Sequence, residues 1–367
     1  MSKKTILITS AGSQVGEGII RSIGTRRDRL KIVGINSAVE NPVNFQCDTA
    51  YLVPELRNQE SFKQKLSEII SCERPSLILP GRDDDVIVLS ELGRYDHEFN
   101  QLLATGGYDL CRTIRSKLDS CHYARANDLP FCLTVDMSNE DIESQASDLI
   151  ENHGWPVIVK PKEGYGAQDI WILSDWVTLQ KWFGKSDYVL QPFLSATTTF
   201  KRWLNSFRNG IPLHSSAPDT IQDVIQVILG PDSSLVGLFG MHSQMKSGRS
   251  WRVTPNNNEQ LLALGRRFAE VLGRDGWRGP LNIQTRYHDG NYIPFEINGR
   301  FNGTTSARTE LGFDEIRLSI QAFLDIDLGD RENSVSADAL HRRSNDYAVY
   351  QDQLSELELN GVWHATP

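Results

Sequence analysis

The chain has 367 residues, a length that allows two or three domains, each with a core of its own. Its composition, 39% hydrophobic and 23% charged, is typical of a globular protein and argues against extensive disorder. A formal net charge of -9 argues against a general nucleic-acid-binding surface, which needs clustered Lys and Arg. We therefore expect no nucleic-acid partner.

The cysteines and the N-terminus indicate a cellular setting. The five cysteines are an odd set without C-x-x-C spacing, so they predict neither a disulfide framework nor a zinc site. The N-terminal apolar run "TILITSAG" is too short for a signal peptide or a membrane span. We expect a cytoplasmic protein with no membrane partner.

The first third of the chain alternates between strands and helices. "TILITSAGSQVGEGIIRSIG" predicts a strand, a glycine turn and a helix, and "KIVGINSA" predicts a second strand. "SFKQKLSEIISCERPSLILPGRDDDVIVLSELG" predicts helix, buried strand and helix in turn. This alternation predicts a parallel sheet with helices on both faces, in a domain over residues 1–112.

Two motifs in this domain each allow two interpretations. The glycines at 12, 16 and 18 bind a dinucleotide or form a tight turn, and their departure from G-x-G-x-x-G favours the turn. The segment from Arg82 to Asp85 follows a buried strand, where parallel sheets place ligand sites. The segment fits the N-terminus of a helix equally well, because the helix dipole stabilises acidic side chains there.

The rest of the chain predicts mainly hairpins. After a polar helix that ends near Asp128, the pattern predicts the following elements: a hairpin over "GWPVIVKPKEGYGAQDIWIL", a strand at "YVLQPFL", a hairpin over "DVIQVILGPDSSLVGLFGMHSQ", a helix over "NEQLLALGRRFAEVLG" and a hairpin turning at Asp289 and Gly290. The stretch from Ser195 to Thr220 fits no periodicity and is an inserted lid or a surface excursion. After Ala337 we expect a strand near "NDYAVYQ".

The last hairpin carries a set of polar side chains. Glu296, Asn298 and Arg300 alternate and so share a strand face, and antiparallel pairing brings Gln284 beside the acid. One carboxylate and two amide oxygens suit Mg²⁺, which prefers modest protein ligation completed by water and substrate phosphates. The alternative is an exposed sheet face with satisfied cross-strand pairs.

The position of Lys160 favours the ligand-binding interpretation of these polar residues. Lys160 ends the buried run "PVIVK" and is followed by Gly164 and Gly166, in a loop able to close over phosphates. Burying an ammonium without a partner costs several kcal/mol, so an anionic ligand would justify its position. Lys117 is weaker support, because a lysine on a polar helix is usually solvated.

Five motifs occur in the order of a known superfamily: Lys117 with "NDLPF", "KPKEGYGAQDI", "LQPFL", "DVIQVILGPDSSLVGLFG" and "GPLNIQTR…PFEINGRFNGTTS". The chain resembles the ATP-grasp superfamily, in the branch of the carbamoyl phosphate synthetase large subunit, biotin carboxylase and carboxylate–amine ligases. The resemblance implies an α/β and α+β fold. A Rossmann-like parallel-sheet pre-ATP-grasp domain (1–112) would precede a small lobe (113–194) and a large lobe (195–330) with antiparallel sheets, then a C-terminal extension (331–367).

The resemblance also implies residue roles. Lys117 and Lys160 would contact ATP phosphates, under the loop from Gly164 to Gly166, and Gln191 and Leu194 would contact the adenine through a carbonyl and an N–H. Depending on the register, Gln222 or Asp223 would contact the ribose. The metal ligands would be Gln284, Glu296 and Asn298, with Arg300 on the reacting phosphoryl group. Gly299 departs from a proline frequent in the family, and Gln284 replaces a glutamate, which lowers the charge of the site.

The implied function is an ATP-dependent carboxylate–amine ligase that uses Mg²⁺ or Mn²⁺ and works through an acyl phosphate. Its substrates would be a small carboxylate and an amine, amino acids among them, and a homodimer is compatible with the family. Candidate substrate contacts, each as easily a surface charge, are Arg82 with its acids, Lys246, Arg249 and Arg308. The alternatives are a bicarbonate-using carboxylase or carbamoyl-phosphate-type enzyme, and a non-catalytic ATP-binding regulatory protein.

Overall fold

The structure, a computed structural model, describes residues 3–164, 168–207, 220–246, 249–330, 337–343 and 347–365. Within these residues the strands form one mostly parallel sheet and two antiparallel sheets, so the predicted α/β and α+β fold class is confirmed. The predicted domain boundaries stay predictions. No helix in the described ranges is long and apolar enough to cross a membrane.

The first sheet is built from the predicted alternation of strands and helices. Its parallel strands are β1 (Lys4–Ile8), β2 (Leu30–Asn36), β3 (Thr49–Leu52) and β4 (Leu77–Leu79), in the order β3-β2-β1-β4. The helices of this region are α1 (Gln14–Ile23), a 3-10 helix (Pro42–Gln46), α2 (Gln59–Glu73), α3 (Asp83–Gly93), α4 (His97–Gln101), α5 (Tyr108–Arg115) and α6 (Lys117–Ala126). Helices α1 and α2 pack on opposite faces of the sheet through separate apolar cores.

The glycine turn between β1 and α1 is a close-packed structural turn. A Cβ added to Gly12 would lie 2.3 Å from the side-chain nitrogens of both Asn36 and Asn41. Ser13 caps α1 by accepting a hydrogen bond from the Gly16 amide at 3.0 Å and donates to the Gly81 carbonyl at 2.9 Å. Glycine at position 12 is therefore explained by close packing against two asparagine side chains, which favours the turn interpretation.

The second sheet has four antiparallel strands: β5 (Val135–Asp136), β6 (Val157–Pro161), β7 (Trp171–Leu173) and β8 (Tyr188–Pro192), in the order β5-β8-β6-β7. Strands β6 and β7 are the hairpin predicted around Lys160. Helices α7 (Ile142–His153) and α8 (Trp176–Gln180) cover the sheet, burying Leu149 and Leu179. Helix α9 (Thr198–Ser206) follows β8, and residues 208–219 of the predicted insertion lie outside the described residues.

The third sheet contains the two other predicted hairpins. Its strands are β9 (Thr220–Leu229), β10 (Leu235–Lys246), β11 (Arg249–Pro255), β12 (Gly279–His288), β13 (Asn291–Asn298) and β14 (Leu340–His341), in the order β13-β12-β9-β10-β11-β14. Helix α10 (Glu259–Arg274) packs Phe268 against Ile225 and Val227 on one face. Helices α11 (Thr305–Glu310) and α12 (Glu315–Leu324) lie on the other face and also contact α1.

The C-terminal tail differs from its prediction. Of "NDYAVYQ", residues 345 and 346 lie outside the described residues, residues 347–350 form no strand, and the last residue begins helix α13 (Gln351–Asn360). Strand β15 (Val362–His364) then pairs antiparallel with β3 and buries Trp363 against Phe45. The apolar side chains of the tail thus join the core beside the first sheet, which local sequence periodicity does not reveal.

Candidate functional site

A cleft of about 390 Å³ lies where the second and third sheets meet the first residues of α1. Seven predicted site residues line it: Lys160, Gln191, Leu194, Gln222, Gln284, Glu296 and Arg300. Lys117, Gly164 and Asn298 line a small adjoining pocket, which also borders Glu296. Asp223 lines neither, and Gly166 lies outside the described residues.

The hairpin of β12 and β13 places the predicted metal ligands side by side. Gln284 pairs directly with Glu296, and Asn282 pairs with Asn298, so the predicted neighbourhood of Gln284 and the acid is confirmed. A bulge follows between Gln284 and Thr285, and both Phe295 and Glu296 then line the cleft. Gln284 and Glu296 thus line the cleft side by side, and Asn298 lines the adjoining pocket that Glu296 also borders.

Arg300 lies beyond the end of β13, although alternation predicts it on the strand. Its guanidinium forms an ion pair with Asp83 of α3 at 2.5 Å and donates to the Asn298 Oδ1 at 3.5 Å. Its Nε is buried and has no hydrogen-bond partner among the described residues. A buried donor of this kind costs free energy unless it is satisfied, and an anionic oxygen of a ligand would satisfy it.

The two lysines are both buried. Lys160 is 3% exposed and Lys117 is 5% exposed, so the expected solvation of Lys117 is wrong. Lys117 occupies the first turn of α6, with Ser116 as the N-cap, and its amide donates to the Lys162 carbonyl at 2.9 Å. Burial lowers the pKa of Lys160 from 10.5 to about 8, against the opposing effect of Glu296, and Lys117 lowers it further.

Gly164, in the loop after Lys160, is held by a hydrogen bond from Arg115. Arg115 donates from Nη1 to the Gly164 carbonyl at 2.9 Å and pairs with Asp84 at 2.8 Å. Asp85 is buried, and it accepts hydrogen bonds from Thr9 and Ser10 at 2.8 and 3.0 Å. The acids that follow Arg82 are thus engaged in structural contacts at the start of α3, which favours the helix N-terminus interpretation of this motif.

The end of β8 forms another wall of the cleft. Gln191 is buried and donates from Nε2 to the Thr134 hydroxyl at 2.7 Å, and it lines the cleft together with Leu194. Phe193 also faces the cleft, and Arg286 lies over its ring at 4.8 Å from the centroid. Burial lowers the pKa of Arg286 to about 10. Sequence analysis missed Arg286, although strand alternation places it on the same face as Gln284.

Strand alternation separates the two ribose candidates. Gln222 lines the cleft, whereas the neighbouring Asp223 points away from it and is buried. Asp223 Oδ1 lies 2.9 Å from His242 Nδ1 and accepts from the Asn256 amide at 2.8 Å. The carboxylate of Asp223 is therefore held in a polar network on the opposite face of the sheet.

This difference predicts the effects of two substitutions. In Gln222→Ala, loss of one hydrogen bond should weaken nucleotide binding about 3- to 10-fold. In Asp223→Asn, the affinity should change by no more than about twofold, and the melting temperature should fall because the network is altered. Isothermal titration and thermal unfolding of both variants separate these effects. A larger loss of affinity in Asp223→Asn than in Gln222→Ala would refute the assignment.

The other substrate candidates lie in different surroundings. Arg308 is fully buried and pairs with Glu315 at 2.5 Å, so it is a core residue and is not available to a substrate. Lys246 lies at the end of β10 over the Trp251 ring, 5.5 Å from its centroid. Arg249, by contrast, lines the cleft, as do Gln14 and Arg342, which sequence analysis missed.

The chain matches no known protein-family profile and no curated protein sequence. Solved structures do share its fold. N5-carboxyaminoimidazole synthetase from Staphylococcus aureus, complexed with ADP, superposes with a TM-score of 0.62 at 13% identity, over 88% of this chain and 78% of that chain. L-amino acid ligase from Bacillus licheniformis gives 0.63 at 14% identity, over 90% and 78%.

A third similar structure is the biotin carboxylase domain dimer of Hydrogenobacter thermophilus 2-oxoglutarate carboxylase, in complex with MgADP, ADP and bicarbonate. Its TM-score is 0.62 at 15% identity, over 93% of this chain and 73% of that chain. Together these likenesses confirm the ATP-grasp fold that was predicted from the sequence.

Proposed function

We propose that the protein is an ATP-dependent carboxylate–amine ligase that forms an amide or peptide bond and releases ADP and phosphate. The observation that carries the proposal is the charge of the cleft. Its described lining contains five cationic side chains and a single carboxylate, Glu296; the cations are Lys160, Arg249, Arg286, Arg300 and Arg342. Lys160 is buried, and Arg286 and Arg300 are half-buried. Desolvated cations are stabilised by an anionic ligand, and a triphosphate supplies the negative charge.

The residues present fit a nucleotide. Lys160 and Lys117 are buried next to the phosphate-loop candidate Gly164, and the buried Arg300 Nε has no described partner. Gln191 and Leu194 also line the cleft, and the adenine would lie against their backbone. The fold shared with structures that are complexed with ADP or MgADP supports this placement.

The residues also fit a hard divalent cation. Gln284, Glu296 and Asn298 offer oxygen atoms only, with one negative charge among them. The described residues contain no group of three or more His, Cys, Asp or Glu that could hold a metal alone. Mg²⁺ or Mn²⁺, held there together with the nucleotide, would supply neutralisation of the phosphate charge.

The reaction would need no protein nucleophile. An oxygen of the substrate carboxylate attacks the γ-phosphorus of ATP, the bond to the β-phosphate oxygen breaks, and ADP leaves. The amine then attacks the acyl carbon, phosphate departs with the carboxylate oxygen, and the amine loses a proton. The main barrier to the first step is the repulsion between the substrate carboxylate and the triphosphate. Lys160 and Arg300 would lower this barrier by holding the phosphoryl oxygens and neutralising their charge.

The free cysteines support a reducing compartment, and we propose the cytoplasm. Four of the five, Cys47, Cys111, Cys121 and Cys132, are buried thiols, and Cys72 is exposed. The predicted homodimer stays a prediction.

The test is release of ADP and phosphate from MgATP, with pooled amino acids and small carboxylates, with and without bicarbonate. A ligase gives release that depends on a carboxylate together with an amine. Release that depends on bicarbonate would replace the proposal with a carboxylase or carbamoyl-phosphate-type reaction. Nucleotide binding without release in any pool would favour the regulatory alternative.

A further inference from the structure

One end of the cleft is lined by parts of the chain that are remote in sequence. Gln14 comes from α1, Arg249 and Ser250 from the start of β11, Gly303 from the segment after β13, and Arg342 from the residue after β14. They lie together, because Gly303 packs against Gln14 and Arg342 donates hydrogen bonds to the carbonyls of both Gly303 and Ser250. The nucleotide contacts proposed above do not use them.

Arg342 is held in this position by the tail of the chain. Strand β14 pairs with β11, and the Arg342 amide donates to the Trp251 carbonyl at 2.8 Å. The guanidinium donates to the Gly303 carbonyl at 2.5 Å and to the Ser250 carbonyl at 3.4 Å. Because a guanidinium has five N–H donors, these two bonds orient the group and leave donors for a ligand.

The charge at this end is not balanced by the described residues. No described carboxylate forms an ion pair with Arg249 or Arg342, whereas Arg300 and Arg308 pair with Asp83 and Glu315. Burial and the neighbouring Arg21 and Arg308 lower the pKa of Arg342. Glu17 acts in the opposite direction, but it also contacts Arg21 and Tyr347.

Resting on the proposed function, we propose that this end of the cleft binds a second anionic group of the acceptor, remote from the carboxylate that is phosphorylated. The substrate class is a small carboxylate that carries a further carboxylate or a phosphate. The planar fork of Arg342, with Arg249 beside it, recognises either group through paired hydrogen bonds. The neutral side chain of Gln14, which also lines the cleft, offers additional hydrogen bonds to the connecting atoms.

The test is a binding measurement that does not depend on turnover. The full chain, loaded with a non-hydrolysable MgATP analogue, is titrated with matched pairs that differ by one anionic group: aspartate and asparagine, glutamate and glutamine, phosphoserine and serine. The same titrations are repeated with Arg342→Ala and Arg249→Ala. Arg343→Ala, which removes the exposed neighbouring arginine, is the matched control, and Arg342→Lys keeps the charge without the fork.

We expect at least one dianionic member to bind about 10-fold or more tightly than its partner. Arg342→Ala should remove that preference, Arg249→Ala should reduce it, Arg342→Lys should restore it in part, and Arg343→Ala should leave it unchanged. Equal binding within every pair, or equal losses in Arg342→Ala and Arg343→Ala, would overturn the inference. The ADP-release test of the proposed function stands apart, because turnover with monoanionic substrates alone would refute only the second anionic subsite.

Discussion

Replacing Glu296 with glutamine is expected to lower substrate-dependent ADP release by about 10²-fold or more. Glu296 is the only carboxylate among the described residues that line the cleft, and it lies directly opposite Gln284. The substitution keeps the shape of the side chain and removes the charge that would hold a divalent cation. The Mg²⁺ concentration for half-maximal rate should therefore rise together with the loss of rate.

The same substitution should also act on Lys160. Glu296 raises the pKa of that ammonium, so its removal should lower the pKa of Lys160 further below 8. Glu270→Gln, on the exposed face of α10, is the matched control and should retain wild-type rate and metal dependence. A Glu296→Gln variant with normal rate and normal Mg²⁺ dependence would show that the oxygen set on β12 and β13 is not a metal site.

Lys160→Met should weaken MgATP binding or slow turnover by about 10²-fold or more, and should also change the proton balance of binding. In the free protein the pKa of Lys160 is about 8, so above this pH the amine is mostly neutral. Bound phosphates raise the pKa again, so the protein should take up a proton when nucleotide binds at pH 8.5. Affinity should accordingly fall as the pH rises through 8.

A rise in pH has the opposite effect on the stability of the nucleotide-free protein, which increases. Because the folded pKa of Lys160 lies below the unfolded value, the folded state without nucleotide is penalised below pH 8, and this penalty is relieved between pH 8 and 10.5. Titration calorimetry in buffers of different ionisation enthalpy measures the proton uptake directly. The matched control is Lys181→Met, which replaces an exposed lysine and should leave the proton uptake on nucleotide binding unchanged. If Lys160→Met binds nucleotide with the same proton uptake as wild type, Lys160 does not contact the phosphates.

The hairpins were predictable from the sequence because their signals are local. The turn at Asp289 and Gly290 and the alternation around it predict that Gln284 lies beside Glu296, and the structure pairs these two residues. The same alternation was able to predict Arg286, the last residue of "GPLNIQTR", which was missed because the resemblance implies no role for it. Alternation predicts that Gln222 and Asp223 lie on opposite faces of the sheet. Which of the two faces the cleft depends on which face α10 covers, and the sequence does not show this.

The contacts between distant segments were not predictable. The burial of Lys117 depends on the contacts of α6 with α5 and β13 and on the hydrogen bond from the Lys117 amide to the Lys162 carbonyl. The helical pattern alone gives no sign of these contacts and predicts a solvated lysine. The ion pair of Arg300 with Asp83 joins the start of α3 to the segment that follows β13. Arg342 reaches the cleft only because two residues before it extend the third sheet, a signal too short to detect in the sequence.

The central claim is that a carboxylate oxygen is transferred to phosphate, and an isotope measurement tests it most directly. The carboxylate that supports ADP release is labelled with ¹⁸O in both oxygens, and the released phosphate is analysed by mass spectrometry. A ligase that works through an acyl phosphate should release phosphate that carries one labelled oxygen for each ADP formed. Phosphate without the label, formed at the same rate as ADP, would show that water attacks the nucleotide and would contradict the proposed reaction.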